Sequence, residues 1–286
     1  MGLASTLSFY SGSRRRQGST MVRSARVDMA SASDVSVDVN SLKFTPFPTS
    51  VPRPQPLNLR PSLKMIYLGQ QHWKTDCARV ALHIAGIPLE EARVGKDSND
   101  GSDPFVRRTF GTFPALVVGG HGVINQSQSI ARYVGQITDL YPKDPFMAAK
   151  VDECLEAIAA ISDHLHATMK ESDPERKLCL RQALIASSGR ITKRLGALET
   201  LVKQNAAVPI PYVAGRNLSM ADLALWGILK WLGSGRVDGI PQTYVESNFP
   251  TLWVLTCAVD HTPQVVEWMA MHPRRNARSA KRALVV

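Results

Sequence analysis

The chain has 286 residues, 44% of them hydrophobic and 20% charged, enough apolar material for one large or two ordinary globular domains, and no apolar run approaches the ~18–20 residues of a membrane-spanning helix. The formal charge of +10 sits at the ends: residues 1–63 hold eight bases against three acids, residues 274–286 hold five bases and no acid, and between them 21 bases balance 21 acids. A positive field confined to two ends argues against a nucleic-acid-binding face on the folded body, so neither nucleic acid nor a membrane span is expected.

Residues 1–27 contain five Arg, many Ser and no acid. That composition fits a mitochondrial or plastid transit peptide, and equally a plain disordered tail, since Asp28, Asp34 and Asp38 soon follow. The opening MGLAST also satisfies a short myristoylation pattern. Next comes FTPFPTSVPRPQPLNLRP, where repeated Pro favours an extended tether; its PxxP content is the kind a partner groove reads. Residues 1–63 are therefore read as a disordered extension, with folded structure beginning at Lys64.

From Lys64 the pattern changes quickly. KMIYL reads as a strand, TDCARVALHIAG as an amphipathic helix and PLEEARV as a second, alternating strand. Strand, helix and strand within ~30 residues form a parallel crossover. After the polar loop SNDGSDPFVRRTFGTF come PALVV, a Gly-Gly turn, HGVI and the helix QSQSIARYVGQ. This is the order of a thioredoxin-like unit, assigned to residues 64–138. Pro114 opens an inner strand, a place Pro occupies only at a first position or a bend; a cis Phe113-Pro114 bond is expected there, turning the Phe113 backbone toward a peptide-like ligand. Gln126 and Ser127 begin a helix, where amides and the helix dipole favour a carboxylate. The plainer reading is that Asn125 or Ser127 merely caps that helix.

Beyond ITDLYPKD the periodicity is helical, and residues 145–273 are assigned to an all-α domain with a basic tail, 274–286, after it. FMAAKVDECLEAIAAISDHLHATMK and ERKLCLRQALIASSGRITKRLGALETLVKQN are expected as two long antiparallel helices that hide each other's apolar stripes. In AGRNLSMADLALWGILKWLG, Ser219 and Asp222 form a capping box, flanked by Leu218 and Leu223. Cys77, Cys154, Cys179 and Cys257 lack CxxC or metal-ligand spacing and read as buried thiols, with no metal site.

Tyr67 in KMIYL, Arg79 in the first helix, the GTFP turn and INQSQSIARY resemble the amino-terminal half of a soluble glutathione S-transferase, most closely the tyrosine-using sigma class. The resemblance spans about 210 residues, from Lys64 to Met271. It implies an α/β thioredoxin-like domain followed by an all-helical domain, glutathione as the bound substrate with no metal, a homodimer, and conjugation of the thiolate to hydrophobic electrophiles, with isomerase or peroxidase side activity. By the same resemblance the compartment is the cytoplasm, unless the extension directs import. A free thiol of pKa ~8.5 is only about 3% ionised at pH 7, and lowering that pKa by ~2 units takes about 2.7 kcal/mol. Tyr67 is the implied catalytic residue, its phenol donating to the sulfur. Gln126 and Ser127 would hold the γ-glutamyl end, Phe113 and Pro114 the cysteinyl backbone, with Gly111 and Thr112 shaping the turn. Lys74 falls beside the thiol, Arg107 or Arg108 near the glycyl carboxylate, and Phe105 where sigma members carry a closing tryptophan. The hydrophobic co-substrate is expected near His72, Trp73, His166 and Met169.

Three departures stand against that pattern. The loop after Tyr67 is one residue longer. Ala160 occupies the place of an aspartate that reaches across related dimers, and the nearest carboxylate is Asp163. Cys77 is a rival nucleophile by type, but is expected to pack inward. The competing reading is a weak or inactive transferase-like binding module, tethered by its basic ends.

Overall fold

Alternation along KMIYL decides which face of the sheet is covered. In the computed structural model, which describes residues 61–68, 73–94, 113–205 and 210–272, Leu63, Met65 and Tyr67 lie together in the apolar core. They belong to β1 (Leu63–Leu68), which pairs in parallel with β2 (Glu90–Val94) through the crossover helix α1 (Trp73–Ile84). β3 (Ala115–Val118) runs antiparallel to β1 and turns into β4 (Gly122–Asn125). The turn closes with His121 donating its amide to Val118, and Gly120 takes φ 77°, a conformation that glycine adopts without steric cost. Sheet order is β2-β1-β3-β4, and α2 (Ser127–Ile137) follows directly from β4. The sequence of elements is the thioredoxin-like one expected.

Seven helices follow among the described residues: α3 (Pro145–Met169), α4 (Pro174–Ile185), α5 (Arg190–Asn205), α6 (Met220–Leu232), α7 (Tyr244–Asn248), α8 (Pro250–Asp260) and α9 (Pro263–Met271). Four of them start on Pro, whose missing N–H costs nothing in a first turn. Asp144 and Asp173 cap α3 and α4 by accepting backbone amides at 2.9 Å. Around α6 every residue from Met220 to Leu229 is buried, as a helix apolar on all sides requires, and it packs against α1, α3 and α8. Its start carries the expected capping box: the Asp222 carboxylate accepts from the Ser219 amide and hydroxyl, each at 2.7 Å, and also from the Val213 amide at 2.8 Å. Glu199 of α5 performs a similar service at a distance in sequence, accepting the Thr251 and Leu252 amides at the start of α8.

Two expectations need correcting. The second long helix is two, α4 and α5, broken at Ala186-Ser187-Ser188-Gly189. A Cβ on Gly189 would stand 2.2 Å from the Leu184 carbonyl oxygen, so the chain doubles back where only glycine fits. The four cysteines are not all buried. Cys77 and Cys154 are, Cys257 is partly so, and Cys179 is exposed because α4 turns only Arg181 fully inward. The α/β layer and the helices are joined by Arg132 of α2, which pairs with Asp152 of α3 at 2.8 Å while Tyr141 donates to the same oxygen.

Candidate functional site

Strand register brings residues far apart in sequence into one row. Ala92, Ile66, Ala115 and Asn125 are successive partners across the sheet. One step beyond, at the carboxyl end of β1, Tyr67 pairs with Arg93, and Pro114 and Gln126 are the residues that adjoin Ala115 and Asn125 in the chain. Adjacent strands lie ~4.8 Å apart, so about 10 Å separates Tyr67 from Gln126, a span that a peptide of three residues covers at ~3.3–3.6 Å each. This is the edge at which open α/β sheets collect ligands.

At the far end of the row the chain enters α2 through a strained residue. Gln126 is exposed and sits at φ 69°, ψ 125°, a region nearly closed to side-chain-bearing residues. No acidic side chain occupies the first turn of α2, and the Ser127 hydroxyl donates to the Gln128 side chain at 3.2 Å. The helix start therefore presents amides and positive dipole with no acidic side chain in its own first turn. In the middle of the row the Phe113-Pro114 peptide is cis, as expected from Pro114 at the head of β3.

Tyr67 is only 4% exposed, and its hydroxyl has partners inside the fold. It donates to Glu91 Oε2 at 3.1 Å and accepts from Arg93 Nε at 3.4 Å. Glu91 is in turn paired with Arg79 Nε, and Arg79 reaches Asp76 at 3.5 Å and lies 5.1 Å from the ring centre of Trp268 on α9. Arg79, itself buried, thus ties α1, β2 and α9 together. Glu91 and Arg93 escaped the sequence reading. LEEARV shows polar residues at alternate positions, but only the pairing of Met65 with Glu91 and Tyr67 with Arg93 puts them on the face of the phenol.

Lys74 lies on the first turn of α1, partly buried, with its ammonium 5.9 Å from the Trp73 ring centre. Burial lowers its pKa from the ordinary lysine value, opposed by the negative charge of Asp163 on α3. Asp163, nearly a turn after Ala160, thus acts on Lys74 within its own chain. Trp73 is buried against α6, stacked on Trp231 at 5.8 Å, whereas His166 and Met169 are exposed near the end of α3. Cys77 is enclosed, and burial pushes its thiol up to about 12, which leaves it protonated and unreactive at neutral pH. His72, Phe105, Arg107, Arg108, Gly111 and Thr112 lie outside the described residues.

A thioredoxin-like four-stranded sheet followed by a helical layer is the arrangement of the glutathione transferase fold. Residues 160–272 match the family model of the glutathione S-transferase C-terminal domain. Among solved structures, the glutathione S-transferase from Ascaris lumbricoides is 25% identical with a TM-score of 0.57, covering 74% of this chain and 97% of its own. Prostaglandin synthase D of Nilaparvata lugens is 20% identical with a TM-score of 0.61, covering 73% and 98%. A monomeric glutathione S-transferase from the hookworm Necator americanus is 21% identical with a TM-score of 0.58, covering 73% and 97%.

Proposed function

We propose that this chain is a tyrosine-type, sigma-like glutathione transferase that binds the tripeptide across the row from Tyr67 to Gln126 and conjugates its thiolate to hydrophobic electrophiles. The observation that carries the reading is the end of β4, where the strained Gln126 delivers a helix start without an acid of its own. The Ser127 hydroxyl and the first amides of α2 take the γ-glutamyl carboxylate there, and the Phe113 backbone meets the cysteinyl unit. The sulfur then lies by Tyr67, with the Lys74 cation adding its field and the phenol donating a hydrogen bond that favours the ionised form. The thiolate attacks the electrophile, a carbon–sulfur bond forms, and the leaving group or carbanion takes the displaced electron pair. The co-substrate side is the face between α1 and α3, with His166 and Met169 at its far end. Phe146 on α3 and Leu178 and Leu180 on α4 are exposed apolar side chains and support a homodimer outside the co-substrate face; a mass of one chain in sedimentation would remove that part of the reading.

The second reading, a binding module with little turnover, is favoured by one observation: the Tyr67 hydroxyl is already hydrogen-bonded to Glu91 and Arg93. Retention on immobilised glutathione and a conjugation assay of wild type and Tyr67→Phe separate the two. The enzyme reading expects retention of both proteins and a loss in the variant of about 100-fold in kcat/KM, the equivalent of ~2.7 kcal/mol. Retention with no turnover supports the module, and failure to bind removes both.

A further inference from the structure

A phenol has one proton to donate, and here Glu91 receives it. The carboxylate is not a casual neighbour. Its other oxygen is paired with Arg79, whose side chain is 2% exposed and is held in turn by Asp76 and the Trp268 ring. Four elements, β1, α1, β2 and α9, therefore fix the oxygen to which Tyr67 donates. Arg93 donates to the phenol oxygen and so occupies an acceptor site without freeing the donor.

We propose that Glu91 is a positioning residue that holds the Tyr67 hydrogen bond away from the ligand's sulfur, so that the glutathione thiol, as it gives its own proton to water, gains the phenol's hydrogen bond only in competition with the carboxylate. This rests on the reading of Tyr67 as the sulfur's donor. The consequence is a competition between two anions for one hydrogen bond. When the phenol turns to the thiolate, Glu91 keeps its ion pair with Arg79 but loses the phenol's hydrogen bond, and its charge remains beside the new thiolate. Both effects oppose ionisation. Of the groups that face Glu91, Arg79 and Arg93 are cations that moderate its charge, while Asp76 draws on Arg79 from the other side.

Glutamine keeps the size of the side chain. Its carbonyl can accept from Arg79, and its amide can donate to the phenol oxygen, which turns the phenol proton outward. Removing a like charge and a rival acceptor shifts a nearby ionisation by of order one pKa unit. The test is a spectroscopic titration of glutathione bound to wild type, Glu91→Gln, Glu91→Asp and the double variant Glu91→Gln/Tyr67→Phe, followed by thiolate absorbance, with affinity and melting temperature recorded for each. Wild type that binds glutathione and lowers the pKa of its thiol establishes the parent reading; wild type that does neither overturns that reading, whatever Glu91 does. Given the first result, Glu91→Gln is expected to raise the thiolate-to-thiol ratio about tenfold at fixed pH, and the double variant to lose the gain. Glu91→Asp, which keeps the charge but shortens the reach, is expected to give a smaller rise. A bound thiol that ionises in Glu91→Gln no more readily than in wild type overturns the inference. Should that variant fail to fold, a Glu91→Asp titration superimposable on wild type does the same. A role in stability alone would move the melting temperature and leave the thiol titration in place.

Discussion

Replacing Gln126 by glycine sets stability against binding at a single residue. Gln126 holds φ 69°, ψ 125°, and a side-chain-bearing residue in so sparse a region costs about 1–3 kcal/mol. Glycine removes that cost but gives back ~0.5–1 kcal/mol in the extra freedom of the unfolded chain. The side chain is exposed, so its loss alone costs within about 0.5 kcal/mol. The net expectation is a gain of about 0.5–2 kcal/mol for Gln126→Gly, seen in urea as a higher midpoint at unchanged slope. Gln126→Ala, which loses the side chain but keeps the strained backbone, is the control and is expected to match wild type. On the proposed function the start of α2 takes the ligand's carboxylate, and the glycine variant is then expected to bind immobilised glutathione about tenfold more weakly, at the level of one lost charge-assisted hydrogen bond. A glycine variant no more stable than the alanine variant would refute the strain argument. One that is more stable and binds as wild type does would separate the strain from the site.

Two buried carboxylates should answer to pH in opposite directions. For Asp222, burial outweighs the hydrogen bonds and pushes the carboxyl up to about 6 from an ordinary 3.8; folding then favours its protonated form, so its contribution falls by about 3 kcal/mol as pH rises from 4 to above 6. The stability cost of Asp222→Asn is accordingly expected to be larger at pH 4 than at pH 7. Burial also opposes ionisation of Glu199, but bonds from Thr251, Leu252 and Lys203 outweigh it and hold the carboxyl below the usual glutamate range. Its stabilisation is present above the unfolded glutamate value and is lost as pH falls through the folded one, so the cost of Glu199→Gln, about 1–3 kcal/mol at pH 7, is expected to shrink in acid. Chemical denaturation of wild type and both variants at the two pH values checks the signs, and equal slopes for the pair would refute them.

The fold was legible where the chain's own chemistry is local. Alternation in KMIYL, the glycine turn, Pro114 and the Ser219-Asp222 box each specify their backbone within a few residues, and each element stands where the sequence puts it. The break between α4 and α5 was missed because apolar periodicity runs through it; what stops the helix is the close approach of Gly189 to the Leu184 carbonyl, a property of the return path of the chain. Around the candidate site the same distinction holds. Gln126 and Ser127 could be singled out from the passage of a strand into a helix, because a helix start advertises itself in sequence. Glu91 could not, since its relation to Tyr67 exists only through the parallel pairing of β1 with β2 and the reach of Arg79 from α1. Read along the chain, Tyr67 is a phenol at the end of a strand. Read across the sheet, it is a phenol whose hydrogen bond already has a taker, and on the proposed function the activity of the site depends on which anion, carboxylate or sulfur, draws that hydrogen bond more strongly.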